Sequence, residues 1–210
     1  MNPQQNKPIE FRNMIRYLEK KDAVCKLIAG HGTGFFCKFK VNGRIMKALF
    51  TNNHVLDEDL IKENSIIQLS HNDKIKEIKI TYDRFKCTND DLDYTCIEIF
   101  DNEDYNNFLE IDDNIKCQNP NVQYGNKLGV VYQFPDNQDI SCGEGFIEGI
   151  KKVNDNNIII HKIITDIGAS GSPIVLSDNL KVIGIHCRRK NNGRNEGIYF
   201  KNILYDIENK

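Results

Sequence analysis

Short apolar runs separated by turn signals make up most of the chain from residue 22 onward. Each run spans 5 to 11 residues and is rich in Val, Ile and Phe, which is typical of β-strands. The runs are AVCKLIAG, GTGFFCKFKV, RIMKALFT, SIIQLS, KIKEIKITYD, YTCIEIF, KLGVVYQF, GEGFIEGIKKV, NIIIHKI, SPIVL, LKVIGIHC and EGIYF. An Asn42-Gly43 hairpin signal separates the second run from the third. No regular strand–helix alternation accompanies the runs, so the pattern predicts an all-β sandwich or barrel.

Helical patterns occur near the two ends of the chain. Ile9, Met14, Ile15 and Leu18 recur at helical spacing after a proline that suits a first turn, which predicts a helix over residues 8–20. The acidic segment DNEDYNNFLEIDDN is loop-like and can join two barrels. The expected organisation is a helical extension at 1–21, a β domain at 22–205 with units at about 22–100 and about 115–200 joined by a linker at about 101–114, and a C-terminal helix at 201–210.

Composition and charge exclude several classes of function. The 210 residues are 40% hydrophobic, which suffices to bury a core. No apolar run approaches the roughly 18 residues that a membrane span needs. The formal net charge of −2 gives no general affinity for nucleic acid or anionic membranes. The polar start MNPQQNKPIE does not resemble a secretory signal. We therefore expect a cytoplasmic protein that binds neither nucleic acid nor membrane.

The cysteines and most of the histidines predict no metal site. The cysteines are odd in number, widely spaced and without a CxxC pair, which favours buried reduced thiols over disulfides or zinc ligands: Cys25, Cys37, Cys87, Cys96, Cys117, Cys142 and Cys187. His31 and His71 fall in turns and are expected to be solvated, whereas His161 is expected to be a sheet residue. We expect no metal and no cofactor.

Three short segments carry candidate chemistry. His54 follows a hairpin in TNNHV, Asp93 opens the alternating run of DDLDYTCIEI, and Ser170 lies among small residues in GASGSP. A serine hydroxyl becomes a good nucleophile when an imidazole takes its proton, and a carboxylate can hold that imidazole in one tautomer. Small residues let the chain turn sharply, so that the N–H groups of Gly168 and Ser170 can point to one oxyanion.

At these motifs the sequence resembles the trypsin-like serine peptidases, and most closely their glutamyl endopeptidase, HtrA-like bacterial and viral branches. Members share the GTGF run, a TxxHV turn, an Asp-led strand, GxSGSP and VIGIH, in the order His, Asp, Ser. The resemblance covers about residues 22–205. It implies a chymotrypsin-like fold of two six-stranded antiparallel β-barrels and a serine endopeptidase that acts on polypeptides. His54 would be the general base, Asp93 its orienting partner, Ser170 the nucleophile, and Gly168 with Ser170 the oxyanion hole.

The chain departs from the digestive branch of this family. Ala169 stands where those relatives carry the acidic residue that pairs with a cleaved N-terminus, and Val55 replaces the cysteine that would pair with Cys37. Both departures favour an intracellular member that is active as synthesised or is controlled by a partner. The helix at 8–20 is the candidate contact for such a regulatory partner, and simple packing on a barrel is the alternative.

Two further residues match the S1 pocket, which holds the side chain of the substrate residue whose carbonyl is attacked (P1). Thr165 lies five residues before Ser170, and His186 ends VIGIH. The match resembles glutamyl endopeptidases and picornaviral processing proteases, in which a Thr and a His bind P1 Glu or Gln. A hydroxyl and an imidazole can both donate to such a side-chain oxygen. Arg188, Arg189 and Lys190 add positive charge nearby, and the alternative is a His186 that is only a core residue.

Two rival functions stay open at this point. A catalytically silent peptidase fold can serve as a binding module, although the triad positions do not favour it. An esterase is the second rival, since GASGS spells GxSxG. The α/β-hydrolase version of that motif needs a strand-elbow-helix context and the order Ser, acid, His, neither of which is found here.

Overall fold

The computed structural model describes residues 11–136, 138–190 and 193–210. Helix α1 spans Phe11–Lys20, and the part of the predicted helix before residue 11 lies outside the described residues. The first β unit contains β1 (Val24–Leu27), β2 (Gly32–Val41), β3 (Arg44–Thr51), β4 (Ile66–His71), β5 (Lys74–Lys79), β6 (Lys86–Asn89), β7 (Tyr94–Glu98) and β8 (Leu109–Glu110). None of the helices in these ranges is long and apolar enough to cross a membrane.

The strands of the first unit form one curled sheet. Their order is β5-β4-β1-β2-β3-β7-β6, and β8 pairs with β2 in parallel. The Asn42-Gly43 turn joins β2 to β3 with positive φ at both residues, as the hairpin signal predicts. The expected closed barrel of six strands is instead an open sheet of eight. In the described part of the chain the edge strands β5 and β6 are not paired with each other, so the sheet stays half a barrel.

The second unit is a closed barrel of six strands. It contains β9 (Leu128–Gln133), β10 (Ser141–Val153), β11 (Asn156–His161), β12 (Pro173–Leu176), β13 (Val182–Arg189) and β14 (Asn195–Tyr199). The ladders run β10-β11-β14-β13-β12-β9 and then close back to β10. A short helix α2 (Pro120–Tyr124) precedes the barrel, and helix α3 (Phe200–Glu208) follows it. The predicted chymotrypsin-like fold is confirmed.

The two terminal helices hold the units together by buried aromatic side chains. In α3, Phe200 lies with its ring centroid 5.0 Å from that of Phe50 and 6.5 Å from that of Phe35, which are both residues of the first sheet. In α1, the buried Tyr17 donates to Glu144 of β10 and lies 2.7 Å from the Ser177 hydroxyl. Helix α1 therefore packs against the second barrel through Tyr17, a residue outside its predicted apolar stripe.

The described members of that stripe lie at the surface. Met14, Ile15 and Leu18 are 45%, 58% and 56% exposed. A helix of ten residues can pack only one narrow face against the barrel. In α1 the Tyr17 side chain, which has both an aromatic ring and a hydroxyl, occupies that face. Spacing alone identified the helix but not the face that is buried.

His71 is the one histidine whose environment differs from the expectation. It is only 3% exposed, its Nε2 lies 2.7 Å from the carbonyl oxygen of Asp22, and its ring packs edge-on against Phe36. The prediction of a solvated turn residue is wrong, because His71 ends β4 beneath the connection that follows α1. His31 is exposed, as expected, and His161 ends strand β11.

Candidate active site

The first sheet brings His54 and Asp93 together. His54 lies in the turn after β3 and Asp93 directly before β7, and these strands pair so that Thr51 faces Thr95. Ser170 comes from the second barrel, three residues before β12. Its carbonyl oxygen accepts a hydrogen bond of 2.8 Å from the Thr33 N–H of β2. The candidate site therefore lies in the cleft between the two units.

The His54 imidazole is held by the Asp93 carboxylate. Nδ1 of the ring lies 2.9 Å from both Oδ1 and Oδ2 of Asp93, and the backbone N–H of His54 donates to Oδ1 at 3.1 Å. The carboxylate thus binds the proton of Nδ1 and leaves Nε2 unprotonated toward the cleft. An imidazole in this tautomer is ready to accept a proton from a nucleophile.

Asp93 adopts a left-handed backbone conformation, with φ of 48°. Aspartate tolerates this region better than most residues, at a modest cost in free energy. The Asn52 side chain donates to the Asp93 carbonyl oxygen at 2.8 Å, and the Asp93 N–H donates to the Asp90 carbonyl oxygen at 3.0 Å. These bonds fix the turn that aims the carboxylate at His54.

The Ser170 hydroxyl has a partner other than His54 in this arrangement. Its Oγ donates to the carbonyl oxygen of Cys187 at 3.2 Å. The hydroxyl must leave this partner before it can donate to Nε2 of His54. Catalytic hydrogen bonds are often incomplete without substrate, so this geometry is compatible with a nucleophile at rest.

The chain turns sharply at Gly168. Its φ is 95°, and a Cβ at this position would lie 2.4 Å from the carbonyl oxygen of Phe134. The Thr33 hydroxyl donates to the Gly168 carbonyl oxygen at 2.8 Å and thereby holds that carbonyl on the far side of the turn. Within the described ranges, the N–H groups of Gly168 and Ser170 donate to no protein acceptor. Both remain available to an oxyanion.

A cavity of about 590 Å³ connects His54, Asp93, Gly168 and Ser170. Its walls include His54, Asp93 and residues 165–170 and 186–189. Thr165 and His186, the two candidate S1 residues, are buried to 8% and 3% exposure and line this same cavity. The structure therefore brings every candidate site residue from the sequence into one cleft.

Behind His186 lies a second histidine, His161, for which the sequence indicated only a place in a sheet. The Ile163 N–H donates to Nδ1 of His161 at 3.3 Å, so the proton of that ring lies on Nε2. Nε2 of His161 lies 3.3 Å from Nδ1 of His186 and can donate to it. The proton of His186 is then on its own Nε2, which leaves an N–H donor for the cavity. A histidine on the buried face of an apolar run is the signal that could have indicated this role.

Both buried histidines are neutral at ordinary pH. Burial, together with the nearby His54, lowers the pKa of His186 to about 4. Burial, together with His186, holds the pKa of His161 well below its usual range. The pair therefore supplies a neutral hydrogen-bond donor at the pocket and not a positive charge.

The cations after His186 are partly neutralised. Arg188 and Lys190 both pair with Glu196 of β14, at 3.0 Å and 2.5 Å. Arg189 lines the cavity, and Asp166 lines it too. The rim of the pocket thus has both signs of charge, which weakens the positive potential expected from the three consecutive basic residues.

Comparisons with known proteins show the family and the fold of this chain. A family model described as "Trypsin-like peptidase domain" matches residues 32–185. The inactive form of the Rv3671c protease superposes with a TM-score of 0.71 at 13% identity, covering 100% of this chain and 98% of that one. The active form of Rv3671c from M. tuberculosis gives 0.64 at 12% identity, covering 95% and 88%.

A serine endoprotease from Yersinia pestis superposes with a TM-score of 0.67 at 15% identity. The match covers 97% of this chain and 67% of that one. No curated protein matches by sequence. At these identities the solved structures establish the fold, and the family model establishes the family.

Proposed function

Because the chain belongs to the trypsin-like peptidase family and is a serine endopeptidase, we propose that its triad is His54, Asp93 and Ser170 and that it cleaves after Gln or Glu. The observation that carries the triad is the contact of both Asp93 carboxylate oxygens with Nδ1 of His54 at 2.9 Å. This contact leaves Nε2 of His54 free to act as the base. Ser170 lines the same cavity as His54.

The proposed reaction begins when Ser170 leaves the Cys187 carbonyl oxygen and donates to Nε2 of His54. Its Oγ attacks the scissile carbonyl carbon while the proton passes to Nε2, and the Asp93 carboxylate stabilises the imidazolium. The N–H groups of Gly168 and Ser170 bind the oxyanion. His54 then gives the proton to the leaving amine, and a water molecule hydrolyses the acyl-enzyme by the same steps.

The proposed P1 preference follows from two hydrogen-bond donors that line the cavity. A P1 Gln or Glu side chain ends in an oxygen that can accept from the hydroxyl of Thr165 and from the Nε2–H of His186. A side chain without such an oxygen would leave buried donors unpaired, which costs about 1–3 kcal/mol for each donor. A neutral His186 suits the uncharged amide of Gln, whereas Glu binds best when the imidazole takes up a proton.

A fluorophosphonate probe and a peptide library together test the proposal. The probe should label the wild type and not Ser170→Ala, and library cleavage should be concentrated after Gln and Glu. Absence of labelling and cleavage in a folded wild type would indicate the silent binding module. Labelling with hydrolysis of esters but of no peptide would indicate the esterase. A library profile dominated by P1 Arg, Lys or aromatic residues would refute the P1 preference alone.

A further inference from the structure

The turn that presents Asp93 is bound by a carboxylate from the other end of the chain. Asp206 of α3 accepts from the Tyr94 hydroxyl at 2.5 Å through Oδ2 and from the Asn89 side chain at 3.2 Å through Oδ1. Asn89 ends β6 and Tyr94 begins β7, so the two donors flank the turn on both sides. Asp206 therefore binds, by hydrogen bonds, the residues at both ends of the loop that carries Asp93.

Further contacts restrain the same loop. Asn89 also accepts from the Leu92 N–H at 2.9 Å, which closes the turn from within. Tyr94 is fully buried and follows Asp93 directly, so a shift of its ring moves the neighbouring backbone. Because Asp93 already has an unfavourable left-handed φ, it keeps this conformation only while its surroundings enforce it.

Asp206 is suited to such a role because it is charged and partly buried. Burial alone would raise the pKa of its carboxyl, but hydrogen bonds from Tyr94, Lys210 and Asn89 outweigh that effect and lower it. Burial raises the pKa of Tyr94, so its hydroxyl stays protonated and donates. Hydrogen bonds to a charged acceptor are about twice as strong as those between neutral groups.

The helix that carries Asp206 is itself firmly placed. Phe200, six residues earlier in α3, packs against Phe50 of β3 with ring centroids 5.0 Å apart. Strand β3 leads directly to the turn of His54. One short helix from the end of the second barrel thus contacts both the strand before His54 and the loop of Asp93.

We infer that Asp206, acting through Tyr94 and Asn89, is a positioning residue that holds the Asp93 carboxylate against His54, an inference that rests on the proposed triad. The residue touches neither substrate nor reacting atoms. Its loss lets Asp93 relax from its left-handed conformation and lengthens the bonds to His54 Nδ1. A misplacement of this kind lowers the rate of the chemical step and leaves substrate binding intact.

Asp206→Asn and Tyr94→Phe are the test variants, and Glu208→Gln is the matched control. Asparagine keeps the shape of Asp206 but removes its charge and replaces one of the two acceptor oxygens by an NH₂ donor. Tyr94→Phe removes one donor while keeping the carboxylate. Glu208 lies in the same helix and pairs with Lys116 at 2.6 Å, away from the Asp93 loop. Each variant is examined for kcat, KM, thermal unfolding and the low-field proton resonance of His54 Nδ1–H, which reports the bond to Asp93 directly.

Both test variants should lower kcat about tenfold with KM unchanged. Both should also shift the His54 Nδ1–H resonance upfield, whereas Glu208→Gln should change neither. An unchanged kcat and resonance in Asp206→Asn and Tyr94→Phe, with only the unfolding midpoint lowered, would overturn the inference. If Asp206→Asn does not fold, the results for Tyr94→Phe alone test the inference. A wild type without turnover would refute the proposed function, and the resonance would still decide the positioning role.

Discussion

At the scale of single residues, Asp93 is distinguished from its neighbours by where its oxygens point. Asp90 and Asp91 share the acidic stretch, but the carboxylate that accepts from both the ring and the backbone of His54 is that of Asp93. Asp93→Asn should lower kcat on the order of a thousandfold or more, because the amide favours the wrong imidazole tautomer. Asp91→Asn should leave kcat within about twofold. Steady-state kinetics test the assignment, which would be contradicted if Asp91→Asn lowered kcat more than Asp93→Asn.

Ser170 and His54 are expected to act as one unit. Ser170→Ala and His54→Ala should each abolish measurable turnover, and the double variant should be no slower than either single one. Neither change removes a large buried side chain, so thermal unfolding should stay close to that of the wild type. Additive losses in the double variant would show that the two residues do not share a step.

The neutral His186 makes the choice between Gln and Glu depend on pH. Its pKa of about 4 means that the imidazolium becomes more abundant as the pH falls from 7 to 5. The ratio of kcat/KM for P1 Glu to that for P1 Gln should therefore rise by up to about tenfold per pH unit over this range. Taking the ratio cancels the titration of any enzyme group that acts equally on both substrates. Arg188, which also lines the cavity, stays charged throughout this range, because its hydrogen bond to Glu196 raises its pKa further. A flat ratio would show that His186 does not contact the P1 side chain.

At the scale of elements, the turn before Ser170 depends on Gly168, where any Cβ would be strained by a positive φ and a close backbone contact. Gly168→Ala brings a Cβ to 2.4 Å from the Phe134 carbonyl oxygen, so the backbone that forms the oxyanion hole must shift. Removal of one oxyanion donor typically costs about 100- to 1000-fold in kcat, and we expect a loss of that size. Measured kcat values of the variant and its control decide the point.

Gly43→Ala is that control. Gly43 also has a positive φ, of 81°, but nothing lies within 4 Å of a Cβ there. The substitution should cost about 1–2 kcal/mol of stability from backbone strain and should leave kcat unchanged. Equal losses of activity in both variants would show that a general weakening of the fold, and not the oxyanion hole, explains the effect of Gly168→Ala.

Much of the element pattern was predictable because it is local. Runs such as VIGIH and NIIIH contain enough β-branched residues to identify β13 and β11, and Asn42-Gly43 identifies a hairpin without any tertiary information. Strand β6, with the sequence KCTN, is short and polar and was not predicted. It is a strand because β7 offers it a partner, with Cys87 facing Cys96, and such pairing is not visible in a window of a few residues.

The side of each element that becomes buried was harder to predict. His161 and His71 are buried by contacts with His186 and Phe36, each more than 20 residues away in sequence. Helix α1 was recognisable, yet its buried anchor is Tyr17. The exposed Met14, Ile15 and Leu18 are compatible with the regulatory partner predicted for this helix, and that role stays a prediction.

At the scale of the whole molecule, the site exists only because two units meet in one relative position. The first sheet supplies His54 and Asp93, and the second barrel supplies Ser170 with the donors of the S1 pocket. Thr33 joins them, since its N–H donates to the Ser170 carbonyl oxygen and its hydroxyl to that of Gly168. The three motifs were readable in the sequence, whereas this junction depends on contacts across more than 130 residues of chain.

The oxidation state of the cysteines indicates the redox compartment that the whole molecule occupies. All seven are free in the structure. Burial raises the pKa of Cys25 and of Cys37, which makes their thiols poor nucleophiles at neutral pH. We therefore expect seven titratable thiols in the native protein as isolated, measured after unfolding without reductant.

Cys87 and Cys96 make this expectation sensitive to the environment. They face each other across β6 and β7, and a hydrogen bond with Cys96 is the main cause that lowers the pKa of Cys87. If the protein occupied an oxidising compartment, this facing pair, whose side chains interact, is the expected site of a disulfide. A count of five, with a Cys87–Cys96 cross-link found by peptide mapping, would contradict the predicted cytoplasmic location. Cys87→Ser should give six thiols in a reducing compartment and six in an oxidising one. A wild-type count of seven or five therefore distinguishes the two compartments, while the variant verifies which pair is responsible.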